Sequence, residues 1–182
     1  TQFSANSNGL VRLGSTAVTT TYTNSVISTI FNPKIMPFWD DLATGTNGSV
    51  STVLIGSSPN RIRIVQWFVT VPINTTSAAN STFQLWLYET TNVVEFRYGT
   101  GGTAASATIG LSDATTSSGD FNNISSTSAH TNSTTTANNS LTTWPGNGRI
   151  YTFTPPPPCS GTPSPGNTLA TSSSVCYGGG ST

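Results

Sequence analysis

Apolar residues in this chain return at every second position, and Gly, Asn and Thr interrupt every longer stretch before a helical spacing can establish itself. Period two marks a pleated strand with one buried face, so the expected class is all-β. Strands are predicted over residues 10–13, 17–23, 35–39, 50–55, 61–71, 83–88, 93–98, 108–111 and 149–153. Short strands separated by turn residues in this number point to two packed antiparallel sheets, a jelly-roll-like β-sandwich.

The hairpin in TFQLWLYETTNVVEFRYG is the most specific local prediction. With residues 89–92 as the loop, Tyr88 faces Val93, and the ladder continues with Leu87 on Val94, Trp86 on Glu95, Leu85 on Phe96, Gln84 on Arg97 and Phe83 on Tyr98. That register gathers Phe83, Leu85, Leu87, Val94, Phe96 and Tyr98 on one face, whereas a slip of one residue would set apolar side chains against charged ones. Gln84, Trp86, Tyr88, Glu95 and Arg97 are left on the other face, which is either half wet or covered by a loop. The 61–71 stretch begins exposed, with Arg61 and Arg63 alternating with Ile62 and Ile64, and ends buried, with Val65, Trp67, Phe68 and Val69 crowding both faces. Residues 100–143 read oppositely: Ile109, Leu111, Phe121, Ile124 and Leu141 are the only anchors in a Gly/Ser/Thr/Asn-rich run. A loop of that length is expected to be functional or mobile. Phe38, Trp39, Trp67, Leu85, Phe96 and Trp144 are the expected core.

Four consecutive prolines, Pro155 to Pro158, cannot join a central strand or a helix and read as a semi-rigid spacer. The expected organisation is a sandwich domain over 1–154, a linker over 155–158, and, over 159–182, the beginning of a second domain. Cys159 and Cys176 both lie in that tail, and their even number in an extracellular context reads as a disulfide.

Composition narrows the chemistry. Sixty of the 182 residues are Ser or Thr, six are Lys or Arg, six are Asp or Glu, and His130 is the single histidine. A formal net charge of zero gives no long-range attraction to a polyanion or an anionic membrane, so neither nucleic acid nor membrane insertion is expected. A surface kept wet by hydroxyls and amides carries little like-charge repulsion and permits close packing between copies or neighbouring domains. An extracellular or cell-surface location fits both traits.

Few side chains remain for a site. Asp40 and Asp41 follow Pro37-Phe38-Trp39 at a strand end and supply two of the six to eight oxygens a calcium ion needs; the preferred reading is that they cap backbone N–H groups of the turn. Asp113 and Asp120 lie in the long loop. His130 is the only imidazole available as a base and has no apolar neighbours in sequence to fix it. Glu89 and Glu95 bracket a surface hairpin, where an ion pair with Arg97 is the simpler expectation. Trp86, Tyr88 and Arg97 form either an aromatic platform for a sugar or a partner protein, or a patch under the long loop. No catalytic residue and no cofactor is expected.

Taken together, FSANSNGLVRLGS, IMPFWDDL, PNRIRIVQWFVTV, TFQLWLYETTNVVEFRYG and NGRIYTFTPPPPCSGTPSPGNTLATSSSVC resemble a β-sandwich module of large secreted or cell-surface proteins of Bacteroidota. Those proteins are gliding-adhesin-like, are often exported by the type IX route, and carry immunoglobulin-like repeats after the sandwich. The Pro37-Phe38-Trp39-Asp40 region and the 83–98 hairpin are also similar, more distantly, to the nidogen-type extracellular domain. The resemblance implies a non-catalytic structural or adhesive module that packs against neighbouring domains of its own polypeptide or other copies in a fibre. The alternative is a carbohydrate-binding, lectin-like module that holds surface glycans on Trp86 and Tyr88.

Overall fold

The structure is a computed structural model that describes residues 2–104, 106–113 and 117–157. Its strands are β1 (Phe3–Ala5), β2 (Val11–Leu13), β3 (Lys34–Trp39), β4 (Ser49–Ile55), β5 (Ile62–Val69), β6 (Ser81–Tyr88), β7 (Val94–Tyr98), β8 (Thr108–Ser112), β9 (Phe121–Ser126), β10 (Thr131–Ser133) and β11 (Ile150–Phe153). They form a six-stranded sheet ordered β1-β2-β3-β8-β9-β10 and a five-stranded sheet ordered β11-β7-β6-β5-β4. Every pairing is antiparallel and neither sheet closes on itself. The protein is an all-β sandwich in which runs of consecutive strands stay within one sheet before the chain crosses to the other.

The β6–β7 hairpin has the predicted register from Phe83 on Tyr98 to Leu87 on Val94, closed by the Tyr88 N–H donating to the Val93 carbonyl at 3.1 Å. Phe83, Leu85, Phe96 and Tyr98 are buried between the sheets with Val65, Trp67, Val69, Phe38 and Ile109. Phe83 and Trp67 stack with centroids 4.9 Å apart and planes 9° from parallel, a geometry that adds to their area burial. Trp144 is only partly buried and packs against this core from its edge. Gly101 is what lets it approach, since a Cβ there would lie 2.0 Å from the indole ring.

A second, smaller core lies outside the six-stranded sheet, where Leu10, Val26, Met36, Trp39 and Phe121 pack with Val18 and Phe31. Strand β3 is therefore buried on both faces along its whole length, and Trp39 belongs to this outer core instead of the one between the sheets. Residues 17–23, expected as a strand, are the cover of that outer core and have no strand pairing. Their β-branched residues favour a strand, but their carbonyls are already taken. Asn6 donates to Thr19 O at 2.8 Å, Asn8 to Thr20 O at 2.9 Å, and Trp39 Nε1 to Thr21 O at 3.3 Å.

The largest departure from the sequence reading is in residues 100–143, which form half of the six-stranded sheet instead of a loop. Amides do there what apolar periodicity does elsewhere. Asn123, wholly buried, donates to Ser133 O at 2.8 Å and Thr136 O at 3.0 Å while its Oδ1 accepts from the Asn138 N–H at 2.7 Å. Strand β1 was likewise not expected, because three residues are too few to display a period. The last strand ends at Phe153. Cys159 and Cys176 lie outside the described residues, as does the proposed second domain at 159–182.

Candidate functional site

The outward face of the five-stranded sheet carries the residues singled out as a platform. Pairing sets Val53 of β4 opposite Ile64 of β5, and Ile64 opposite Trp86 of β6; one step along, Ile55, Ile62 and Tyr88 form a second row. Glu95 and Arg97 continue the face on β7. Because side chains alternate across a strand, these rows all point away from the core. The result is an aliphatic band on β4 and β5 that meets an aromatic and charged patch on β6 and β7.

Within the patch the polar groups are committed to one another. The Arg97 guanidinium lies 3.7 Å above the Trp86 ring centroid, a cation–π contact of roughly 0.5–2 kcal/mol depending on its exposure. Arg97 Nη2 also donates to Glu95 Oε2 at 2.6 Å and to Tyr88 Oη at 3.0 Å, and Tyr88 donates its hydroxyl hydrogen to Glu95 Oε2 at 2.9 Å. Trp86 Nε1 donates to Gln84 Oε1 at 2.7 Å, and Gln84 donates to Gln66 at 2.7 Å. Burial raises the Tyr88 pKa, and its bond to Glu95 adds to that shift. Trp86 and Tyr88 stand 6.3 Å apart at 34°, both partly exposed. The strands of the 100–143 stretch, β8, β9 and β10, do not lie over them, because they belong to the other sheet.

At the end of the sandwich bearing the β6–β7 turn, a groove of about 430 Å³ opens between the sheets, lined by Phe3, Leu13, Leu54, Arg63, Leu87 and Val93 among others. Its rim carries a bidentate pair, Arg61 Nη2 to Glu89 Oε1 at 2.5 Å and Arg61 Nε to Glu89 Oε2 at 2.8 Å. The Arg61 side-chain hydrogen bonds, joined by its backbone N–H, hold the Glu89 carboxyl down to about 2. Glu89 and Glu95 thus have separate arginine partners: Arg61–Glu89 joins the start of β5 to the end of β6, whereas Glu95–Arg97 lies within β7.

The remaining candidates are each held by neighbours. Asp40 is buried, its Oδ1 accepting from the Asp41 N–H at 2.9 Å and its Oδ2 from the Ser106 N–H at 3.3 Å. The Asp41 carboxyl is pushed up by burial and by the charge of Asp40. Asp113 and Asp120 join through backbone, the Asp113 N–H donating to Asp120 O at 2.8 Å. Among the described residues no group of three or more His, Cys, Asp or Glu side chains is arranged to hold a metal ion. His130 is fixed, contrary to its appearance in sequence: Arg149 Nη2 donates to its Nε2 at 2.6 Å, and its Nδ1 lies 3.3 Å from Tyr151 Oη. Through those contacts the β9–β10 turn is fastened to β11 across the edge of the sandwich. Lys34, the only lysine, is buried and donates to Ser28 O and to Asn32 Oδ1, the latter at 2.6 Å. Burial lowers its pKa to about 8.

Two features escaped the sequence reading. The groove draws on Phe3 and Leu13 from one sheet and Leu54 and Leu87 from the other, a juxtaposition that no local pattern announces. The exposure of Val53, Leu54 and Ile55 was hidden for the opposite reason, because an apolar run reads as buried. The one visible signal was SVSTVLI, a β-rich run without a charge, Pro or Gly.

A family model described as NIDO related matches residues 1–155. Both segments that carry the nidogen-type similarity, Pro37-Phe38-Trp39-Asp40 and the 83–98 hairpin, fall within that span, and in the structure Phe38 and Phe83 meet in the central core with ring centroids 5.7 Å apart. No curated protein and no solved structure matches the chain. The matched span takes in all eleven strands of the sandwich, and the chain belongs to the NIDO-related family.

Proposed function

We propose that this domain is a non-catalytic structural and adhesive module of a long extracellular surface protein, working by packing against neighbouring domains or other copies. The observation that carries the reading is the outward face of the five-stranded sheet. Val53 and Ile55 are 50% and 40% exposed there beside Ile62 and Ile64, and the neighbouring Trp86, Tyr88, Glu95 and Arg97 satisfy one another. An uncharged band with its polar neighbours already paired loses little on desolvation, which is what a protein partner requires of a surface. The near absence of charge elsewhere supports the same reading. In the wider setting we propose, the sandwich belongs to a gliding-adhesin-like protein of the Bacteroidota type, exported by the type IX route and continued after the prolines by an immunoglobulin-like repeat.

One feature favours a second reading, a carbohydrate-binding module: Trp86 and Tyr88 stand side by side and partly exposed on a flat face. Against it, the Trp86 ring already has a guanidinium stacked on it at 3.7 Å. A glycan array probed with the wild-type chain and with Trp86→Ala separates the two. Packing predicts no saturable glycan ligand for either protein. A defined ligand bound by wild type and lost in Trp86→Ala replaces the packing reading with sugar recognition.

A further inference from the structure

A sandwich of two open sheets has four edge strands, each a row of main-chain groups able to template another strand. Three are blunted here. Strands β1 and β10 are three residues long, and β11 is four residues long and runs into Pro155, Pro156 and Pro157, which have no N–H to offer. Strand β4 is different. It spans seven residues, pairs with β5 from Ser49 on Phe68 to Ile55 on Ile62 without a register break, and contains no charge, Pro or Gly. Every residue from Ser51 to Ile55 is exposed.

Resting on the packing reading above, we propose that β4 is a strand-addition edge at which two copies of this chain pair antiparallel. Among the described residues, copies of this chain offer one another only one long, unguarded edge, β4 itself, so pairing between them is isologous, about a two-fold axis. Centred on Thr52, it sets Thr52 on the partner's Thr52, Val50 on the partner's Leu54, and Ser51 on the partner's Val53. Opposed residues in an antiparallel pair share a face, so Val50 and Leu54 meet on the core side and Val53 and Ser51 on the outward side. The partner's Val50 would then stand beside Leu54 at the mouth of the end groove. Charge does not oppose the arrangement. Arg63 lies next to Leu54 on β5, and its counterpart is three strand spacings away, about 14 Å across the sheet, beyond the Debye length of about 8 Å at physiological salt. The outcome is a continuous sheet twice the width of one copy's.

The test is sedimentation equilibrium of the full 182-residue chain, with circular dichroism to confirm folding. The expected wild type is a concentration-dependent dimer. Val53→Lys and Val53→Glu, at a site half exposed in the single copy, are each expected to fold and to sediment as monomers, because they place like charges diagonally across the pair. Mixed in equal amounts, the two variants are expected to recover the dimer, a rescue that general loss of stability does not produce. A wild type that stays monomeric at its highest soluble concentration overturns the proposal, as does a Val53→Lys protein that dimerises like wild type. Either result, with no glycan ligand on the array, removes self-pairing and leaves packing against other domains standing. A glycan ligand lost in Trp86→Ala removes the packing reading itself.

Discussion

Lys34→Met is the most informative single change, because it tests the cost of a lone buried amine. Lys34 is 1% exposed, with its ammonium on Ser28 O and Asn32 Oδ1, and burial lowers its pKa from 10.5 to about 8. Between those two values the unfolded chain holds a proton that the folded chain has released, so unfolding takes up a proton and stability rises with pH. At about 1.4 kcal/mol per unit of pH, the gain from pH 8 to pH 10 is roughly 2–3 kcal/mol. Buried phenols end the rise. Burial raises Tyr98 well above its ordinary value of 10.0 and raises Tyr151 to a lesser degree, so above pH 10 the unfolded chain loses protons that the folded chain keeps, and stability falls. The expected profile therefore climbs from pH 8 to a maximum near pH 10. Urea unfolding followed by tryptophan fluorescence, in steps of about one pH unit from neutral upward, measures it. Methionine keeps most of the side-chain volume and removes the titration, so Lys34→Met should be flat where wild type climbs. A wild-type profile that is flat or falling between pH 8 and pH 10, or a variant that keeps the wild-type slope, refutes the reasoning.

Phe83→Ala removes a ring packed on Trp67, Phe38, Tyr98 and Trp144 and should cost about 3–5 kcal/mol by chemical denaturation; a loss below about 1 kcal/mol contradicts the core assignment. Asn123→Leu leaves two carbonyls and one N–H without their bonds, at about 1–3 kcal/mol for each group stranded from water, and the faster amide exchange should concentrate in β9 and β10. Glu89→Gln tests the acid limb. The Glu89 carboxyl is held from 4.5 down to about 2, so its contribution is complete above the upper value and fades as pH falls toward the lower one. Acid titration of wild type should accordingly be steeper than that of the variant between pH 4.5 and about pH 2; superimposable curves reject the assignment.

Where apolar residues alternated, the architecture could be read directly. The β6–β7 register was recoverable because a slip of one residue would have set Phe83 or Leu85, depending on its direction, against Arg97. Reading failed where amides replaced methyl groups as the cohesive element. Asn123 and Asn138 hold β9 and β10 in place, and Asn6 and Asn8 hold the 17–23 cover, yet in sequence an Asn is as plausible a turn as a buried donor. The platform residues were found because they sit on a strand whose face was already known. Their mutual saturation was not legible, since it depends on Arg97 folding back over Trp86 instead of reaching into solvent. His130 was misread as unanchored for the same reason: Arg149 and Tyr151 reach it from 19 and 21 residues away in the chain.

The cover over residues 17–23 is gripped by its main chain and not by what its residues carry. Side-chain amides and an indole hold the carbonyls of Thr19, Thr20 and Thr21, and within that stretch Val18 is the residue that packs into the core beneath. A carbonyl is present whatever amino acid supplies it, so Thr19, Thr20, Tyr22 and Thr23, all exposed, can be exchanged without loosening the attachment. One flank of the molecule can therefore change its chemistry over generations while the scaffold beneath stays the same. That separates what must be preserved from what is open to selection.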